Sequence, residues 1–138
     1  MIRIIPFLFL LISFNLHAQN LILSCRGVVE NFYEQNPHHN DKSNETREYK
    51  FINGKLNGKY DVKWTTDKIF YQCKAGTGNG CSDKFEGGTF KDFHQIEISR
   101  NTGEVTELGS VKFDKKLNLS NARDKFRGTC EKIESRKF

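Results

Sequence analysis

Apolar side chains recur at every second position along most of this chain, and nowhere at a spacing of 3.6 over four turns. In Leu21–Tyr33, the residues Leu21, Leu23, Cys25, Gly27 and Val29 share one face of an extended strand, with Ile22, Ser24, Arg26 and Glu30 on the other. Residues 48–52 place Tyr49 and Phe51 together. Residues 61–64 do the same for Val62 and Trp64, and residues 68–73 read as a returning strand. In Thr89–Ser99, His94, Ile96 and Ile98 share a face while Gln95 and Glu97 point away. Residues 104–108 and 110–113 are two further short strands. Ala122–Ile133 closes the domain with Phe126, Gly128 and Cys130 inward and Lys125, Arg127, Thr129 and Glu131 outward.

Turn chemistry separates these runs. Asn53-Gly54 and Asn57-Gly58 tolerate positive φ at both positions and predict tight hairpins. Thr65-Thr66-Asp67 and the stretch Arg100-Asn101-Thr102-Gly103 close two more, with Gly103 where a left-handed residue is wanted. Residues 34–46 predict a polar loop, residues 74–80 a glycine-rich one, and residues 115–121 a loop or one helical turn. The pattern predicts an all-β fold of seven to eight antiparallel strands. It is a meander barrel or a sandwich, with the meander favoured because most joins are local.

The first residues break the pattern. Met1-Ile2-Arg3 is a short basic start, residues 4–14 are apolar except Ser13, and residues 15–19 are polar with Ala18 as the small residue. That layout predicts a signal peptide at 1–18 and one β domain at 19–138. The apolar run is about half the roughly 20 residues a membrane span needs. Asn15, His17, Gln19 and Asn20 separate Cys25 from that run, so the expected exported protein starts at Gln19 without an acyl group.

Cys25, Cys73, Cys81 and Cys130 all fall after the leader. In an oxidising compartment four cysteines make two disulfides, and no close Cys-x-x-Cys pair suggests zinc. Cys73 and Cys81 flank seven residues, three of them glycine, and the expected bonds are Cys73–Cys81 and Cys25–Cys130. Cys25–Cys73 with Cys81–Cys130 is the main alternative. The first pairing would seal the first strand to the last.

The run Ile96-x-Ile98-x-Arg100-x-Thr102-Gly103, with Phe126-x-Gly128-x-Cys130 and Cys25-Arg26-Gly27, resembles a group of small secreted proteobacterial proteins of unknown function. The chain is similar, more weakly, to periplasmic c-type lysozyme inhibitors, which are small disulfide-bonded β-barrels. The resemblance implies a shared fold and a periplasmic or secreted location in a Gram-negative bacterium. It carries no catalytic residue across.

The 22 Lys and Arg exceed the 17 Asp and Glu, and the excess lies entirely in residues 112–138. Lys125 and Arg127 share a strand face, and Lys132, Arg136 and Lys137 follow, so these five form a candidate surface for an anionic partner. No nucleic-acid partner is expected, because aromatic residues do not interleave with the basic ones. The expected partner is an envelope protein or an anionic envelope component, and no transmembrane segment is expected in the mature chain.

His38-His39 beside Asp41 predicts a solvated loop, and His94 a packed strand residue. Gly76-Thr77-Gly78-Asn79-Gly80 lacks the helix and Lys-Ser/Thr pair of a phosphate loop, and no Gly-x-Ser-x-Gly elbow occurs. Glu104 and Glu107, three apart, fall on opposite strand faces and predict solvated surface. No catalytic, cofactor or metal site is therefore expected. The function predicted is that of a non-enzymatic binding or accessory protein, with loops 34–46 and 74–80 as contact surfaces. The alternatives are an inhibitor of a cell-wall hydrolase and a small hydrolase using His94 or His38-His39.

Overall fold

The first and last strands meet, and the chaining of the hairpins shows how. The computed structural model describes residues 20–133, so the expected leader at 1–18 lies outside them. Among the described residues eight strands run in the order β1 (Leu21–Tyr33), β2 (Asp41–Ile52), β3 (Lys55–Leu56), β4 (Lys63–Trp64), β5 (Lys68–Lys74), β6 (Thr89–Ser99), β7 (Glu104–Phe113) and β8 (Ala122–Ile133). All belong to one antiparallel sheet, ordered β3-β2-β1-β8-β7-β6-β5-β4. Every neighbour is a sequence neighbour except β1 and β8. The fold is thus a meander whose first and last strands pair, curled into a half-barrel whose ladder is interrupted between β3 and β4.

The turns form as their residues require. Asn53 and Gly54 have φ of 51° and 74°, Asn57 and Gly58 of 53° and 70°, and Gly103 of 75°. The β1–β8 seam carries three features in register, Cys25 opposite Cys130, Gly27 opposite Gly128 and Val29 opposite Phe126. Both expected disulfides are present, Cys25–Cys130 and Cys73–Cys81. At the glycine pair the two backbones are too close for side chains. A Cβ on Gly27 would lie 2.0 Å from the Arg127 carbonyl oxygen, and one on Gly128 would lie 2.4 Å from that of Arg26.

The concave face holds the core. Leu23, Cys25, Val29, Tyr49, Phe51, Leu56, Ile69, Tyr71, Ile96, Ile98, Val105 and Phe126 are all buried there. At one end the sheet's edges approach each other. Trp64 on β4 packs edge-on against Phe51 on β2 with centroids 5.2 Å apart, and its indole N–H donates to the Gly54 carbonyl at 2.8 Å.

Three sequence expectations need correction. Residues 41–46 are strand, not loop, because Asp41 to Thr46 pair with Asn31 to Arg26. These residues are polar on both faces, so alternation gave no signal, and pairing to β1 decides their conformation. Residues 104–113 are one strand rather than two. Gly109 continues the ladder opposite Asp124, whose carboxylate occupies the space a Cβ would need. The strand expected at 61–64 shrinks to Lys63–Trp64.

Candidate functional site

The end of the half-barrel away from Trp64 is polar, and one carboxylate organises it. Glu107 sits on β7 beside Phe126 and Ile96, only 8% exposed. It is bound from three sides. The His94 ring nitrogen Nε2 lies 2.6 Å from Oε1, Arg47 Nη1 lies 2.9 Å from Oε2, and the Tyr49 hydroxyl donates to Oε2. Burial opposes ionisation of this group, but the hydrogen bonds from His94, Tyr49 and Arg47 outweigh it and hold the pKa down at about 2. Burial and the Glu107 charge push the Tyr49 hydroxyl well above its ordinary value, so it stays a donor.

Arg47 is the second hub. Its guanidinium lies 4.7 Å over the Phe126 ring, a cation–π contact. It pairs with Glu45 through Nε at 3.1 Å and with Asp124 through Nη1 at 3.5 Å. Burial works against its charge, yet bonds to Glu45 and Glu107 raise its pKa on balance. His94 also meets Tyr71 edge-on, with centroids 5.3 Å apart.

This cluster corrects the sequence reading of Glu107 as solvated surface. The parity was right, since Glu104 is exposed and Glu107 points inward. What the strand pattern lacked was the partner set, which comes from β2 and β6. His94 is half-buried on the strand face of Ile96 and Ile98 as expected, and its ring contact with Tyr71 and hydrogen bond with Glu107 are the additions. Among the described residues its only side-chain hydrogen-bond partner is Glu107. All four cysteines are in disulfides, and no group of His, Cys, Asp or Glu among the described residues is arranged to hold a metal. His38 and His39 lie exposed in a single 3₁₀ turn.

The convex face carries the basic residues. Arg123, Lys125 and Arg127 occupy alternate positions of β8, so their Cα atoms follow each other at roughly 7 Å. The row through Arg123 runs Phe32, Arg123, Ser110, Phe93 across β1, β8, β7 and β6, and Leu108 lies opposite Lys125 in the next row. These side chains line a groove of about 420 Å³. A bulge between Lys91 and Phe93 shifts the β6 register there, and Asp92 accepts a hydrogen bond from Ser110. Phe32 is 40% exposed at the rim. Arg123 reaches Glu34 only at 3.9 Å, while Lys125 and Arg127 have no ion-pair partner among the described residues.

Of the five expected basic residues, Lys125 and Arg127 therefore share a face. Lys132 falls on the opposite parity of β8, opposite Leu23, and is not brought to them. Arg136 and Lys137 lie outside the described residues. Arg123 was missed, although its spacing of two from Lys125 was the available signal.

The glycine-rich loop is fixed rather than loose. Thr77 donates through its hydroxyl to the Lys74 carbonyl at 2.7 Å, the Asn79 amide bonds the Asp61 and Gln72 carbonyls, and the Tyr71 hydroxyl donates to the Asn79 carbonyl at 2.6 Å. Residues 74–78 are exposed above this frame. No protein family, curated protein or solved structure matches the chain. Among the described residues, no helix is long and apolar enough to cross a membrane.

Proposed function

We propose that this protein is a secreted or periplasmic, non-enzymatic binding protein that takes a single-chain anionic amphiphile on its convex face. The observation that carries this reading is the groove of Phe32, Phe93 and Leu108 bordered by Arg123 and Lys125. Its volume falls in the range of small-molecule sites, about 300–1,000 Å³. An acyl chain would lie along the aromatic row, and its acidic head would meet Arg123 and Lys125 of β8. The two disulfides suit an oxidising compartment. The interior cluster supports a non-enzymatic reading, because Glu107 spends its acceptors on Arg47, Tyr49 and His94.

Titration with dodecyl phosphate below its micelle point tests this, with dodecyltrimethylammonium as the charge-reversed control. The expected result is saturable binding of the phosphate alone, weakened about tenfold or more by Lys125→Glu, the scale of one buried charge contact. Equal binding of both amphiphiles, or of neither, overturns the reading.

A second reading, inhibition of a cell-wall hydrolase, is favoured by the stapled loop at 74–80. A loop held in one conformation loses little entropy on entering a cleft. Recovery of one muramidase from an envelope extract, lost with Ala75→Trp, would support it over the first.

A further inference from the structure

One long strand edge of this sheet is bare. β3 pairs with β2 only at Phe51 and Ile52, and beyond them the Asn57 N–H donates to the Lys50 carbonyl at 2.7 Å. From 41 to 49, β2 is paired to β1 on one side, and among the described residues no strand covers the other. In an antiparallel strand the N–H and C=O of one residue point to the same edge, and successive residues alternate. The Lys50 carbonyl faces the β3 side, so Lys42, Asn44, Thr46 and Glu48 also point their backbone groups away from β1. Residues 41–46 are exposed, so these N–H and C=O groups stand ready to receive another strand.

We propose that this edge pairs with the same edge of a second copy, joining two curled sheets into one across a two-fold axis. The residues on the edge are self-complementary in one register. With Thr46 on the axis opposite the partner's Thr46, Asn44 faces the partner's Glu48 and Glu45 faces the partner's Arg47. Glu45 already pairs with its own Arg47 at 3.1 Å and is 42% exposed, so it has acceptor capacity left for the second guanidinium. Sliding the register by two would set Glu45 opposite itself, and like charges directly opposed are destabilising. Extending it past Lys50 is blocked, because β3 begins there.

One like-charge pair falls in this register, Lys42 opposite the partner's Lys50, and each of these lysines is already neutralised by a carboxylate of its own chain. Lys42 is bridged to Glu30 at 3.4 Å, and Glu48 to Lys50 at 3.2 Å, both on the convex side. Edge strands usually repel copies of themselves with charges of one sign. The centre of this edge, from Asn44 to Glu48, carries mixed signs in an order that reverses onto itself, as an isologous interface requires.

Sedimentation velocity over a concentration series into the millimolar range tests the proposal on the full disulfide-bonded chain. The expected mass rises to that of two chains, and Thr46→Pro holds it at one. Proline at 46 removes an N–H that points to the open edge and leaves the β1 ladder intact. Should that variant fail to fold, Thr46→Cys decides in its place. It should form a covalent dimer under mild oxidation, several times faster than Lys42→Cys. A single-chain mass throughout the series overturns the proposal, as does a dimer indifferent to Thr46→Pro or equal cross-linking at both cysteine positions. Amphiphile binding on the convex face should survive Thr46→Pro, so failure of that function and failure of this interface are separately visible.

Discussion

Glu107 shows how one buried charge becomes a dependence on pH. Its folded pKa of about 2 lies below the unfolded 4.5. At about 1.4 kcal/mol per tenfold change in proton affinity, this contributes roughly 3 kcal/mol to stability at neutral pH. Because the folded value is the lower one, the contribution is complete above 4.5 and drains away as pH falls through about 2. Glu107→Gln should therefore lower the urea midpoint strongly at neutral pH, and the gap to the native protein should close near the folded pKa. An offset of equal size at both ends would mean that packing, not charge, sets the cost. This residue also marks where sequence reading stops. His94 was legible as an inward strand residue because Ile96 and Ile98 flank it at period two. Glu107 was not, since a carboxylate next in line to Leu108 carries no local sign that Arg47, Tyr49 and His94 converge on it from two other strands.

At the scale of elements, the β1–β8 seam and the 74–80 loop make a pair of contrasts. Gly27→Ala would put a methyl group into the Arg127 backbone and should cost at least about 3 kcal/mol by chemical denaturation. Gly78→Ala meets nothing within 4 Å and is opposed only by its φ of +78°, so its cost should stay near 1 kcal/mol. Similar costs at the two sites would show that the β1–β8 seam yields to the added methyl group and that close approach does not set the cost at Gly27. The disulfides differ in the same way. Cys25–Cys130 spans 105 residues and Cys73–Cys81 spans 8. Chain entropy makes the first worth roughly 4 to 5 kcal/mol and the second about 2 to 3. Cys130→Ser should then destabilise more than Cys81→Ser when melting of the two variants is compared, and the reverse order would contradict the entropic account. The turns at Asn53, Asn57 and Gly103, both pairings and seven strand positions were readable in the sequence, because glycine, asparagine and alternation act locally. The start of β2 was hidden, because its strand state comes from β1 and not from its own polar residues.

For the whole molecule, the decisive property is curl. On a flat sheet β2 and β7 would stand about 14 Å apart, three strand spacings, and Arg47 could not meet Glu107 at 2.9 Å. Curling makes the cluster, and it also separates two surfaces of different character. Glu45, Glu107 and Asp124 surround Arg47 on the inner side, while Arg123, Lys125 and Arg127 line the outer one. The sequence reading saw the basic excess but not this division, because sidedness needs the register of four strands at once. The same seam that closes the sheet bears on the order in which the chain can be cut. Ile22 stands opposite Ile133, so the two described ends are neighbours, while the exposed turn at Asn57-Gly58 lies at the break between β3 and β4. A circular permutant that links residue 133 to residue 20 and opens between 58 and 59 would keep every strand pairing. It would also turn the pairing of greatest sequence separation, the β1–β8 seam with its Cys25–Cys130 bond, into a local hairpin. Folding speed follows contact separation, so that rearranged chain would reach the same architecture sooner than the natural order does.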